Sequence, residues 1–204
     1  MKPPHSLTDG ELKAYAEEHL QYEVDMLTWA AGTLAFFAPH KDKGLIPWTI
    51  NNALVESFAS HARNLIDFLY SRSCRKDYDT DIVIQDYVAA DVLAEVLPEI
   101  STLLYEALIK ANKQVAHLTL DRIKYEKAGK EWEFIEIVRH IYQAFASIAP
   151  HIPNSKISDE LRQKLSKTQV VIHIVDVSII NAPDSRPIGV SLSFRQANEI
   201  APSV

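Results

Sequence analysis

Apolar residues recur at three- and four-residue intervals along most of the first 150 positions, which is the spacing of one face of an α-helix. The first such segment starts after Thr8 or Asp9, either of which can cap a helix, and stops at Pro39. A second helix is predicted over residues 49–73. The positions that define the inner face of the first helix are Leu12, Tyr15, Ala16, His19, Leu20, Leu27, Ala30, Ala31 and Leu34.

The same periodicity predicts three further helices before residue 150. A short one covers residues 84–97, and a longer one covers residues 98–118 with Pro98 in its first turn. A third runs over residues 131–148 and is ended by Pro150. We therefore expect a bundle of four to five helices.

The pattern changes after residue 150. Ser158 can cap a brief helix, and residues 170–180 are β-branched and predict a strand. Residues 188–195 alternate between apolar and polar positions, which predicts a second, half-buried strand. The fold class is thus mainly α, with a helical bundle over residues 8–150 and an extension over residues 151–204 that ends in a small β-hairpin. A lone hairpin is marginal in water, so we expect it to pack on the helices or to support a homodimer.

The amino-acid composition indicates which partners and which cell compartment to expect. A formal net charge of −6 over 204 residues argues against a protein that coats DNA. Cys74 is the only cysteine, so neither an intramolecular disulfide nor a cysteine-rich metal site can form. No run approaches the roughly 18 apolar residues of a membrane-spanning helix, and the N-terminus lacks the apolar segment of a signal peptide. We expect a cytoplasmic protein without a membrane partner.

Most recognisable catalytic motifs are absent from the sequence. It contains no glycine-rich phosphate loop, no G-x-S-x-G elbow and no H-E-x-x-H. It also lacks the Glu-x-x-His sets that build di-metal sites in helical bundles. We therefore expect neither a metal nor another cofactor.

The polar face of the predicted helix at residues 98–118 is the strongest candidate for chemistry. Lys110 and Lys113 share this face with His117, opposite the core stripe. Lys113 and His117 are four residues apart and are therefore neighbours on a helix. A histidine beside fixed cations can act as an acid or base on RNA. The alternative is an ordinary solvated face with lysines that only confer solubility.

On the second helix, both His61 and the pair of Arg63 and Asp67 can be explained by structure alone, without a role in function. His61 lies on the apolar side, where a buried and hydrogen-bonded core histidine is the simpler interpretation. Arg63 and Asp67 are four residues apart, as in an exposed salt bridge on one helix. Asn64 lies on a flank of the same helix.

Two segments carry a resemblance to a known family. They are ESFASHARNLIDF at residues 56–68 and NKQVAHLTLDR at residues 112–122. With the helical pattern over residues 10–150, they resemble the HEPN superfamily of helical bundles, many of which are ribonucleases of toxin–antitoxin and phage-defence systems. The resemblance leaves the C-terminal hairpin unexplained.

The resemblance also implies a catalytic arrangement, in which an arginine precedes a histidine on one helix. His117 matches that histidine, whereas Asn112 and Lys113 stand near the place of the arginine. Arg63 and Asn64 of the second helix are the candidate replacements. The implied site is therefore His117 as acid or base, Lys113 and Arg63 as phosphate ligands, and Asn64 or Asn112 as the group that orients the RNA backbone.

Two functions follow from these observations. The first is a non-catalytic helical interaction module that dimerises or binds a protein partner. The second is a metal-independent HEPN-type ribonuclease or RNA-binding protein that works as a dimer. The sequence leaves open whether the protein is an enzyme.

Overall fold

The computed structural model shows a mainly α-helical protein, as the periodicity predicts. It describes residues 7–37, 48–70, 81–116, 132–167, 173–179 and 190–196. In this part of the chain, no helix is both long and apolar enough to cross a bilayer.

The first helix is continuous but changes its hydrogen bonding along the way. It consists of α1 (Asp9–Tyr15), a π-helical turn (Ala16–Leu20) and α2 (Gln21–Phe37). Thr8 caps it: the Thr8 hydroxyl accepts from the Glu11 amide, and the Glu11 carboxylate accepts from the Thr8 amide at 2.7 Å. This reciprocal pair satisfies two amides that a helix start leaves unpaired.

The π-helical turn corrects one part of the prediction. The expected inner positions Leu12, Ala16 and Leu20 are buried, but Tyr15 is only half-buried and His19 is exposed. A π-helical turn bonds each residue to the fifth one along and is wider than an α-helical turn. Helical periodicity therefore misplaces side chains in this turn.

The second helix, α3 (Trp48–Tyr70), packs along α2. Its core side includes Phe58, Leu65 and Leu69, which are fully buried. The ring of Phe58 meets that of Phe134 edge to face at 4.9 Å, which ties α3 to the last long helix.

The predicted single helix over residues 84–97 is wrong. The structure has α4 (Ile84–Tyr87) and α5 (Ala90–Val96), separated by extended backbone at Val88 and Ala89. Val88 is buried in the core. The chain thus breaks its helix where a β-branched side chain packs inward in an extended conformation.

The next helix begins later than Pro98, contrary to the prediction. It is α6 (Thr102–Lys110), followed directly by a second π-helical segment (Ala111–Ala116). The hydroxyl of Ser101 accepts from the Leu104 amide and so marks the helix start. Four apolar residues at helical spacing in this helix are buried, as the periodicity predicts: Leu104, Ala107, Leu108 and Ala111.

The remaining helices complete one core. They are α7 (Phe134–Ile148), which runs into a 3-10 turn (Ala149–His151), and α8 (Asp159–Leu165), which Ser158 caps as predicted. Ile152, Ile157, Leu161 and Leu165 are at most 3% exposed and belong to the same hydrophobic cluster as the earlier helices. The core therefore continues beyond residue 150.

Two segments near the C-terminus have extended backbone. They are β1 (His173–Ile179) and β2 (Val190–Gln196), and they run antiparallel with Val175 opposite Phe194. The structure describes nothing of their side chains. The helical unit is the established part of the fold, and a stable C-terminal hairpin stays a prediction.

Candidate functional site

A groove lies between the first helix, α3 and the residues that lead into α4, and its volume is about 550 Å³. This is within the roughly 300–1,000 Å³ range of small-molecule sites. We call it the Glu23–Arg63 groove. Its lining residues are Tyr15, His19, Leu20, Glu23, Arg63, Asn64, Leu65, Asp67, Phe68, Asp81, Ile82 and Val83.

The π-helical turn shapes one wall of this groove. His19 and Leu20, the last two residues of the turn, both line it. The ring centres of Tyr15 and His19 lie 4.8 Å apart with the ring planes tilted by 52°, so the two side chains are in contact on this wall. Single π-helical turns inside α-helices are rare and are often found at functional sites.

Glu23 is the centre of the polar contacts. Its Oε2 bonds to Nδ1 of His61 at 2.8 Å and accepts from the side-chain amide of Asn64 at 3.2 Å. The side chain of His61 is 12% exposed and that of Glu23 is 25% exposed. His61 is hydrogen-bonded, as expected of a core histidine, but its partner is a carboxylate at the edge of the groove. The pair joins α2 to α3.

Arg63 also faces a carboxylate. Its Nε lies 3.6 Å from Oδ2 of Asp67, and both side chains are partly buried rather than exposed as predicted. That distance is too long for a hydrogen bond, and the Nε is buried without a hydrogen-bond partner. The contact is therefore a charge pair rather than a directed bond.

The groove carries more negative than positive charge. Glu23, Asp67 and Asp81 contribute carboxylates, and Arg63 contributes the guanidinium. Burial raises the pKa of the Tyr15 hydroxyl above its ordinary value, and the charges of Glu23 and Asp81 raise it further. The field inside the groove therefore favours cations and disfavours phosphate groups.

The residues predicted from the sequence divide between two places. Arg63 and Asn64 both line the groove. Lys113 is exposed in the second π-helical segment and is not a lining residue. The Nζ of Lys110 lies 4.7 Å from the centre of the Trp132 ring, in a cation–π contact. His117 lies outside the described residues, so its predicted role stays a prediction.

The sequence did not reveal the central role of Glu23. Its spacing of four from His19 is visible, but the partner that it bonds is His61, 38 residues away. Only the packing of α2 against α3 brings these two side chains together. No local pattern could have indicated Tyr15 or Asp81 as lining residues either.

A second pair of chemically capable residues has a structural explanation. The hydroxyl of Ser101 lies 2.8 Å from Nδ1 of His140, a contact that could belong to a nucleophile and its base. The same hydroxyl accepts a hydrogen bond from the Leu104 amide at the start of α6. Glu136 lies one turn before His140, but its described hydrogen bond is with the Arg139 guanidinium, at 2.7 Å. We therefore assign Ser101 to helix capping.

Among the residues that the structure describes, no group of three His, Cys, Asp or Glu is placed to bind a metal ion. Comparison of the chain with protein families, curated proteins and solved structures finds no match.

Proposed function

We propose that this chain is a non-catalytic helical interaction module of HEPN-like type, which binds its partner through the Glu23–Arg63 groove. The supporting observation is the setting of Arg63 and Asn64. Arg63 lies beside Asp67, and Asn64 donates to Glu23. A guanidinium that already faces a carboxylate, in a groove of net negative charge, is a poor ligand for an RNA phosphate.

The alternative is a metal-independent ribonuclease with His117 as its acid or base and Lys113 as a phosphate ligand. It needs a cationic surface where the RNA backbone would lie. Arg63, the candidate arginine, instead faces Asp67 and shares the groove lining with two further carboxylates, Glu23 and Asp81. This electrostatic mismatch favours the binding module over the nuclease.

The two functions differ in a simple assay. Purified protein and a His117→Ala variant are incubated with total RNA in EDTA, and the RNA is resolved on a denaturing gel. We expect no cleavage by either protein. Cleavage by the wild type that is lost in His117→Ala would contradict the proposal and establish the ribonuclease.

We propose a cytoplasmic homodimer in which the C-terminal hairpin of one copy supports the other, because an isolated hairpin is marginal in water. Light scattering at micromolar concentration should give twice the 23.0 kDa mass of one chain. A single-chain mass would remove the dimer without affecting the groove.

A further inference from the structure

The Glu23–Arg63 groove combines two kinds of surface. Leu20, Leu65 and Phe68 are buried apolar residues that line it, whereas His19 and Asp81 are exposed polar residues of the same lining. Apolar side chains at the base and polar groups at the rim suit a ligand that has an apolar body and a polar end.

The charges of the groove lining indicate which polar group such a ligand would carry. Asp67 lies 3.6 Å from the Arg63 guanidinium. Glu23 and Asp81 are the other two carboxylates of the lining, and neither forms a described ion pair with Arg63. Both described hydrogen bonds to Glu23 reach Oε2, so Oε1 is available as an acceptor. A cation between Glu23 and Asp81 would meet two anionic partners.

Aromatic rings add to this preference for a cation. Tyr15 and Phe68 line the groove, and the faces of such rings attract ammonium groups when the site is partly shielded from water. Tyr15 is half-buried and Phe68 is 8% exposed, so both rings are shielded in part. The rings can also contact the methylene groups that carry the charge.

We propose that the Glu23–Arg63 groove binds a primary ammonium group on an alkyl chain, with Glu23 and Asp81 as its anionic partners and Tyr15 and Phe68 beside the chain. This inference rests on the proposed function, since it names the chemistry that the interaction module recognises. The same group occurs in free polyamines and in the lysine side chains of proteins.

Isothermal titration calorimetry with two probes separates these sources. One probe is spermidine, and the other is the tripeptide acetyl-Ala-Lys-Ala-amide. Glutarate, an anion of similar length, serves as the negative control. We expect heat of binding from at least one ammonium probe and none from glutarate. Tighter binding of spermidine identifies a free polyamine, and tighter binding of the peptide identifies a lysine side chain.

Matched variants test whether the binding is in the groove. Asp81→Asn removes an exposed lining carboxylate. We expect it to lower the affinity for the tighter-binding ammonium probe about fivefold, which is the effect of one well-placed surface charge. Asp91→Asn makes the same change in net charge at an exposed position of α5 outside the lining. We expect the Asp91→Asn variant to bind the same probe with an affinity within about twofold of the wild type. Glu23→Gln should also weaken binding, and its thermal melt shows whether the fold is kept.

Two results would overturn the inference. The first is no measurable binding of either ammonium probe at millimolar concentration. The second is equal weakening by Asp81→Asn and Asp91→Asn, which would indicate general attraction to an acidic protein. Either result, combined with an absence of RNA cleavage, leaves the proposed interaction module in place. Cleavage that depends on His117 would instead remove the proposed function itself.

Discussion

Glu23 illustrates how a single residue acquires a role that its neighbours in sequence do not reveal. Its carboxylate bonds to His61 and Asn64 on another helix, and it lines the groove beside Arg63. The helical pattern places His61 correctly on the inward side of α3. The pattern holds no information on which carboxylate will meet it, because that depends on how two helices pack.

Tyrosines in the core give the protein a defined response to alkaline pH. Burial raises the pKa of Tyr70 from 10.0 to about 12, and it raises the pKa of Tyr87 as well. A raised pKa means that the folded state holds its proton more tightly than the unfolded chain does. The stability that depends on Tyr70 is therefore complete below pH 10 and is lost as the pH rises towards 12.

The expected result is a fall in the free energy of unfolding above pH 10, with Tyr70 contributing up to about 1.4 kcal/mol per pH unit. Tyr70→Phe removes the ionisable group, so its curve should be shallower than that of the wild type. Urea unfolding at pH 8, 10 and 11 measures both proteins. Parallel curves would show that Tyr70 ionises as readily in the folded protein as in the unfolded chain.

At the scale of elements, the sequence predicts helices well where local signals agree. Thr8 with Glu11, and Ser158 before α8, are capping residues that local chemistry identifies. The sequence predicts too early a start for α6 because Pro98 also suits the first turn of a helix. The bond of Ser101 to the Leu104 amide decides the true start. The break at Val88 depends on burial and is not visible in the periodicity.

Helix α8 belongs to the same core as the earlier helices. Leu161 and Leu165 are fully buried in the core that the earlier helices build, although a boundary at residue 150 was predicted. We expect a chain that ends at Lys167 to melt cooperatively with a helical circular dichroism spectrum. A chain that ends at Pro150 should lose this transition.

The reason is the apolar surface that the shorter chain cannot bury. It lacks Ile152, Ile157, Leu161 and Leu165, and removal of one large core side chain typically costs about 2–5 kcal/mol. Four such losses, about 8–20 kcal/mol together, are as large as the roughly 5–15 kcal/mol that stabilise a typical domain. Circular dichroism melts of both chains provide the comparison. A chain ending at Pro150 that melts like the longer one would place the boundary where the sequence suggested.

At the scale of the whole molecule, the groove is the feature that the sequence could not predict. Its walls come from three segments that are far apart in the chain, near Tyr15, Arg63 and Asp81. The sequence indicates Arg63 as a phosphate ligand and Asn64 as an orienting group. Their carboxylate neighbours, which change the preferred charge of the ligand, appear only after the helices have packed.

A substitution at Arg63 tests which charge the groove prefers in its ligand. If the groove binds a cation, the Arg63 guanidinium repels the ligand, and Arg63→Gln should tighten binding of spermidine by about fivefold. The measurement is calorimetric titration of spermidine into wild type and variant, after thermal melts have shown that both are folded. An affinity that is unchanged or weaker in Arg63→Gln would contradict the claim that this groove is built for a cation.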